Sequence, residues 1–151
     1  MKHLVITCIL FLCCAAAKAQ VAVGYFPFNY SMVQLTSSPE KLIFGDARMQ
    51  TNSFISNSNI ELAPFINLKR SEMVNYYFGV GVSINPFNHN DGVSLTNGYF
   101  ITIGVRIKPL NINRNAALLF EISPYSNKDG NSAIIRTNLG LSYSFKKRKG
   151  K

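Results

Sequence analysis

Cysteine, histidine, acidic residues and long apolar runs are all scarce in this chain, and each scarcity excludes something. The three cysteines, Cys8, Cys13 and Cys14, sit in an N-terminal stretch that reads as a secretory signal. Met1, Lys2 and His3 form a short basic head. An apolar run over 4–12 and small residues over 13–19 follow, and Ala17 and Ala19 occupy the positions that signal peptidase reads, so cleavage is expected before Gln20. The apolar run is short for a membrane anchor, since a spanning helix needs about 20 apolar residues. A lipidated Cys13 or Cys14 would need a small residue before it, where Leu12 or Cys13 stands. With 1–19 removed, the remaining chain has no thiol. Disulfide staples, zinc–thiolate sites, redox motifs and cysteine nucleophiles are then excluded, and backbone ladders and packing must hold the fold.

Of the two histidines, only His89 lies beyond that segment. No later stretch is long and apolar enough for a transmembrane helix, so insertion into a membrane would have to be by strands closed into a barrel. Without Lys2 and Lys18 the chain has 14 Lys and Arg against 7 acids. Five of those bases fall in the terminal run 146–151 (KKRKGK). The folded part is therefore only mildly basic. The tail reads as a solvated charge run suited to anionic envelope components such as lipid headgroups, not to nucleic acid. By length, what remains is one domain over 20–145 followed by the basic tail.

What the chain has in abundance is period-two alternation. In 75–86 (NYYFGVGVSINP), Tyr76, Phe78, Val80, Val82 and Ile84 alternate with Gly79, Gly81, Ser83 and Asn85. In 98–109 (GYFITIGVRIKP), Tyr99, Ile101, Ile103, Val105 and Ile107 alternate with Phe100, Thr102, Gly104, Arg106 and Lys108. Such runs predict strands with one apolar and one polar face. Further strands are predicted over 20–28, 42–51 (less regular in its alternation), 60–69, 116–125 and 133–145, with a shorter one over 30–36. Pro27 marks a strand end, and Asp129-Gly130 is a strong hairpin signal. Counting 30–36, the expectation is a closed antiparallel up-and-down β-barrel of 8 strands. Its outer loops would be 26–29, 52–59, 87–97 and 126–132, and its inner turns 37–41, 70–74 and 110–115.

Alternation alone does not distinguish a membrane barrel from a soluble one, whose apolar face points inward. Three features favour the membrane. Several strands reach the 9–11 or so residues that a tilted strand needs to cross a bilayer. Gly79, Gly81, Gly104 and Gly140 fall on the polar face, where a narrow lumen would need room for Arg106, Glu121 and Arg136. Aromatics (Tyr76, Phe78, Tyr99, Tyr143, Phe145) mark strand ends on the apolar face, as interfacial girdles do.

The segments GYFPFNYSMV (24–33), FGDARMQTNSF (44–54), NYYFGVGVSINPF (75–87), NGYFITIGVRIKP (97–109), FEISPY (120–125) and RTNLGLSYSF (136–145) resemble short outer-membrane β-barrel proteins of Bacteroidota type. The resemblance implies an outer-membrane location and insertion by the barrel-assembly machinery. Leu141, Tyr143 and Phe145 match the aromatic-ended final strand that serves as the assembly signal. The chain departs from that pattern in its basic tail, which would hang in the periplasm.

Catalytic material is thin. Asn88, His89, Asn90 and Asp91 lack the spacing of a metal or calcium site. His89, Asp91 and Ser94 contain the residue types of a hydrolytic set but no recognisable motif. Glu61, Glu121, Arg106, Lys108 and Arg136 read as charges pairing across a barrel interior. No catalytic, cofactor or metal residue is assigned. The expected function is a monomeric outer-membrane barrel with a structural or surface-presenting role. The alternatives are a soluble exported barrel that binds a small apolar ligand and a lipid-modifying enzyme.

Overall fold

A computed structural model describes residues 20–28, 31–51, 59–86, 94–109 and 115–145. Eight strands follow one another: β1 (Val21–Phe26), β2 (Met32–Ser37), β3 (Ile43–Gln50), β4 (Ile60–Arg70), β5 (Val74–Ile84), β6 (Thr96–Ile107), β7 (Ala116–Asn127) and β8 (Ala133–Ser144). Each pairs antiparallel with the next, and β1 pairs with β8, which closes the barrel. The up-and-down architecture read from the alternation is therefore the one observed, and the short strand predicted over 30–36 is present as β2, Met32–Ser37. The signal segment, the basic tail and His89 lie outside the described residues.

The closing seam runs from Ala22↔Ser144 to Tyr25↔Leu141, so both ends of the barrel chain emerge at the same rim. That rim also carries the β2–β3 and β4–β5 turns, the end of β6 and the start of β7. The β7–β8 turn at the opposite rim uses Asp129-Gly130, with Gly130 at φ 71°, a backbone conformation open to glycine at no steric cost. Ser38 in the β2–β3 turn also has positive φ, at 49°. Its N–H donates to the Gln20 carbonyl (2.5 Å) and its carbonyl accepts from Lys41 (2.9 Å), which tucks the turn against the start of the barrel chain.

Strand sequence decides which face is which. Along β3, Phe44, Asp46, Arg48 and Gln50 point inward, and Ile43, Gly45 and Met49 point out. Its alternation is thus strict, contrary to the irregularity read from sequence. Two small outward residues, Gly45 and Ala47, blur the contrast between its faces.

Two prolines interrupt the ladders. Between β4 and β5, pairing lapses after Leu62↔Val82 and resumes at Phe65↔Gly79, spanning Pro64. Between β6 and β7 it lapses after Phe100↔Tyr125 and resumes at Ile103↔Ile122, spanning Pro124. Proline has no N–H to offer a neighbour, so each lapse follows from one residue.

The interior is built from glycine–aromatic pairs. A Cβ on Gly79 would stand 2.3 Å from the Phe65 ring, on Gly81 2.3 Å from Phe100, on Gly104 2.4 Å from Tyr77 and on Gly140 2.5 Å from Phe26. Phe65↔Gly79, Gly81↔Phe100 and Tyr77↔Gly104 are directly opposed across their ladders. This corrects the expectation that these glycines make room for Arg106, Glu121 and Arg136. They accommodate rings, and the rings in turn pack on the arginines.

Candidate functional site

Two surfaces carry the functional information: the lumen and the outer wall. Inside, three buried acids (Asp46, Glu61, Glu121) meet four buried bases (Arg48, Arg106, Lys108, Arg136). Arg48 of β3 reaches across the lumen to β7. Its Nη1 donates to Glu121 Oε2 (2.7 Å) and its Nη2 to Glu121 Oε1 (2.9 Å), a bidentate pair. The same guanidinium donates through Nε and Nη2 to Asp46 Oδ2, at 2.9 and 2.8 Å. Asp46 also accepts from Gln34 Nε2 (2.7 Å) and Thr36 Oγ1 (3.1 Å). Tyr77 donates its hydroxyl to Glu121 Oε1 (2.7 Å).

Towards the opposite rim, Arg136 donates from Nη1 to Glu61 Oε1 (2.5 Å) and from Nη2 to Ser123 Oγ (3.3 Å). Near the rim that carries the termini, Arg106 Nη1 donates to the Pro39 carbonyl (2.9 Å). There the β2–β3 turn folds into the barrel mouth. Asn67 Nδ2 holds the Pro39 carbonyl (3.0 Å) and the Lys41 carbonyl (2.5 Å), and Lys108 pairs with Glu40 (2.7 Å).

Each lumen arginine lies between two rings. Arg48 sits 5.4 Å from the centroids of both Phe26 and Phe65, and Arg106 5.4 Å from both Phe44 and Tyr77. Arg136 lies 5.4 Å from Phe100 and 4.8 Å from Tyr125. Stacking of this kind contributes roughly 0.5–2 kcal/mol per contact, more when desolvated. It also fills the cross-section, so side chains occupy the barrel interior as they do in other narrow barrels.

The predicted interior charges, Glu61, Glu121, Arg106, Lys108 and Arg136, are thus all brought inside. Sequence reading missed Asp46, Arg48 and Tyr77. Asp46 and Arg48 alternate with small outward residues, and Tyr77 sits in the run Tyr76-Tyr77-Phe78, where hydropathy cannot distinguish the two faces. Each of the lumen carboxylates Asp46, Glu61 and Glu121 is bonded to an arginine. Ser94 is half-buried beside the start of β6, whereas His89 and Asp91 lie outside the described residues. Among the described residues, no three His, Cys, Asp or Glu side chains gather as metal ligands.

The outer wall is the inverse of the lumen. Val23, Tyr25, Leu35, Ile66, Val80, Ile103 (60% exposed), Phe120 and Leu141 (63%) point outward, while Arg106 is 1% and Glu121 0% exposed. Among the described residues, the outward strand positions carry no charge until Lys69 and Arg70 at the end of β4. Outward aromatics stand towards both rims: Tyr76, Tyr143 and Phe145 near the termini, Tyr25 and Tyr99 opposite. Tyr143 and Phe145 meet edge-on, 5.3 Å between centroids. Comparison with protein-family models, curated proteins and solved structures found no match to this chain.

Proposed function

We propose that this chain is a small integral β-barrel of the outer membrane of a Gram-negative bacterium, without catalytic activity. Its role is structural, or it presents the connections over 52–59 and 87–97 at the cell surface. The observation that carries this reading is the inversion of burial: an outer wall of exposed, uncharged apolar side chains around a lumen of buried charged and aromatic ones. In water such a wall would leave an apolar belt far larger than soluble monomers expose. In a bilayer it is the surface that lipid requires, and closure satisfies the backbone. The resemblance of the strand segments to short Bacteroidota outer-membrane barrels, and the signal-like N-terminus, point the same way. Its partners would be outer-membrane lipids, the assembly machinery during insertion and, at the basic tail, anionic envelope components.

A soluble barrel holding an apolar ligand would need its apolar face inward, and here the inward face carries seven charged groups. Fractionation of the cell envelope tests the proposal. Retention in the outer membrane after carbonate washing, with faster gel migration before boiling than after, is expected. Release of folded protein into the soluble fraction would overturn it.

A further inference from the structure

Over the two proline interruptions the outer wall carries a groove of about 1130 Å³. Leu62 and Pro64 of β4 form one side, and Pro124 of β7 with Ile134 and Ile135 of β8 the other. Val80, Val82, Tyr99 and Ile101 of the β5–β6 hairpin lie between them. The two lapses in pairing flank this hairpin at one level, where Val80 opposes Ile101 and Gly81 opposes Phe100. Behind the hairpin, Gly81 lies against the inward Phe100 ring, with Ala63 of β4 beside it. The polar side chains reaching the groove are few. Asp46 and Tyr125 turn their side chains into the lumen, onto Arg48 and Arg136, leaving Ser126 towards the rim.

We infer that this groove is a binding site for the acyl chain of a membrane lipid, held more specifically than the lipids around the rest of the belt. The inference rests on the membrane reading above. Three observations select the occupant. The groove is continuous with the uncharged outward belt, so a chain already in the surrounding hydrocarbon enters it without crossing a polar barrier. Its lining offers shape and apolar area but almost no hydrogen-bonding groups, which suits a flexible hydrocarbon. A peptide strand is disfavoured, because strand addition needs a free sheet edge. Here the flanking strands are interior members of a closed barrel, and the two residues at the lapses have no N–H to donate.

The test uses the protein folded into phosphatidylethanolamine/phosphatidylglycerol vesicles that contain a small fraction of phospholipid with a photoactivatable diazirine on one acyl chain. After irradiation, labelled peptides are mapped. The expected result is a several-fold excess of label on the β5–β6 hairpin around Val80–Val82 and Tyr99–Ile101 over the opposite face at Val33, Leu35 and Met49. Ile101→Trp, which fills the groove, should remove the excess. Leu139→Trp, elsewhere on the belt, should leave it. The wild-type map alone decides the matter if a variant fails to fold. Uniform labelling around the barrel would overturn the inference while leaving the membrane reading intact. Selective protection of the groove would also overturn it, by showing a second copy of the chain seated there. A protein that stays in solution and takes no label would instead bring down the membrane reading itself.

Discussion

Gly104 and Arg136 show how tightly single residues are constrained inside this barrel. A methyl group at position 104 would meet the Tyr77 ring at 2.4 Å, so Gly104→Ala must displace a ring packed on Arg106 and bonded to Glu121. Overpacking of this kind costs about 1–3 kcal/mol. A drop in the urea midpoint of the micelle-folded protein is expected. Gly45→Ala, whose new methyl faces outward and meets only Ser37 Oγ at 3.3 Å, should change that midpoint little. Arg136→Ala leaves Glu61 buried without its cation, and losing one partner of a buried pair costs about 3–5 kcal/mol. The double variant Arg136→Ala/Glu61→Ala should recover part of that loss in the same measurement. Additive losses would mean that the pair is not coupled.

At the scale of the strand, facing is what matters. Val80 and Ile103 are outward on β5 and β6, and an arginine at either would stand on the proposed lipid side at a cost of about 2–4 kcal/mol near mid-membrane. Val80→Arg and Ile103→Arg are each expected to reduce folded yield in vesicles sharply. Normal yields for both would refute the outward assignment. Strand order and facing were legible in the sequence because period-two alternation reports them directly. β3 was the exception, for its outward Gly45 and Ala47 give little contrast to an inward face that mixes Phe44 with Asp46 and Arg48. The ion pairs were legible only as a set of inward charges. Alternation states which way a side chain points and says nothing of what lies opposite across a lumen, so Arg48–Glu121 and Arg136–Glu61 emerge only once the barrel closes. The groove was hidden for a related reason, since Pro64 and Pro124 come to one level only through the register of the three ladders between β4 and β7.

For the molecule as a whole, the filled lumen argues against conduction. Arg48, Arg106 and Arg136 with their rings, and the inward β2–β3 turn, fill much of the described lumen. Protein reconstituted into planar bilayers should therefore give no steady channel current at moderate voltage. Well-resolved ohmic steps would show that a continuous water path exists.

The same ion pairs set an order of events in time. Arg48 and Glu121 are 73 residues apart, and Arg136 and Glu61 75. In the bilayer proposed above, the β3–β4 hairpin alone would carry the inward acids Asp46 and Glu61 with Arg48, and the β5–β6 hairpin Arg106 with no acid. Glu61 gains its cation only when β8 arrives, whereas Lys108, just past β6, pairs with Glu40 of the β2–β3 turn. A hairpin-by-hairpin insertion would thus leave Glu61 without its cation until the last strand entered. For a chain inserting as proposed, β3 and β4 would thus wait for β7 and β8 before their buried charges are paired.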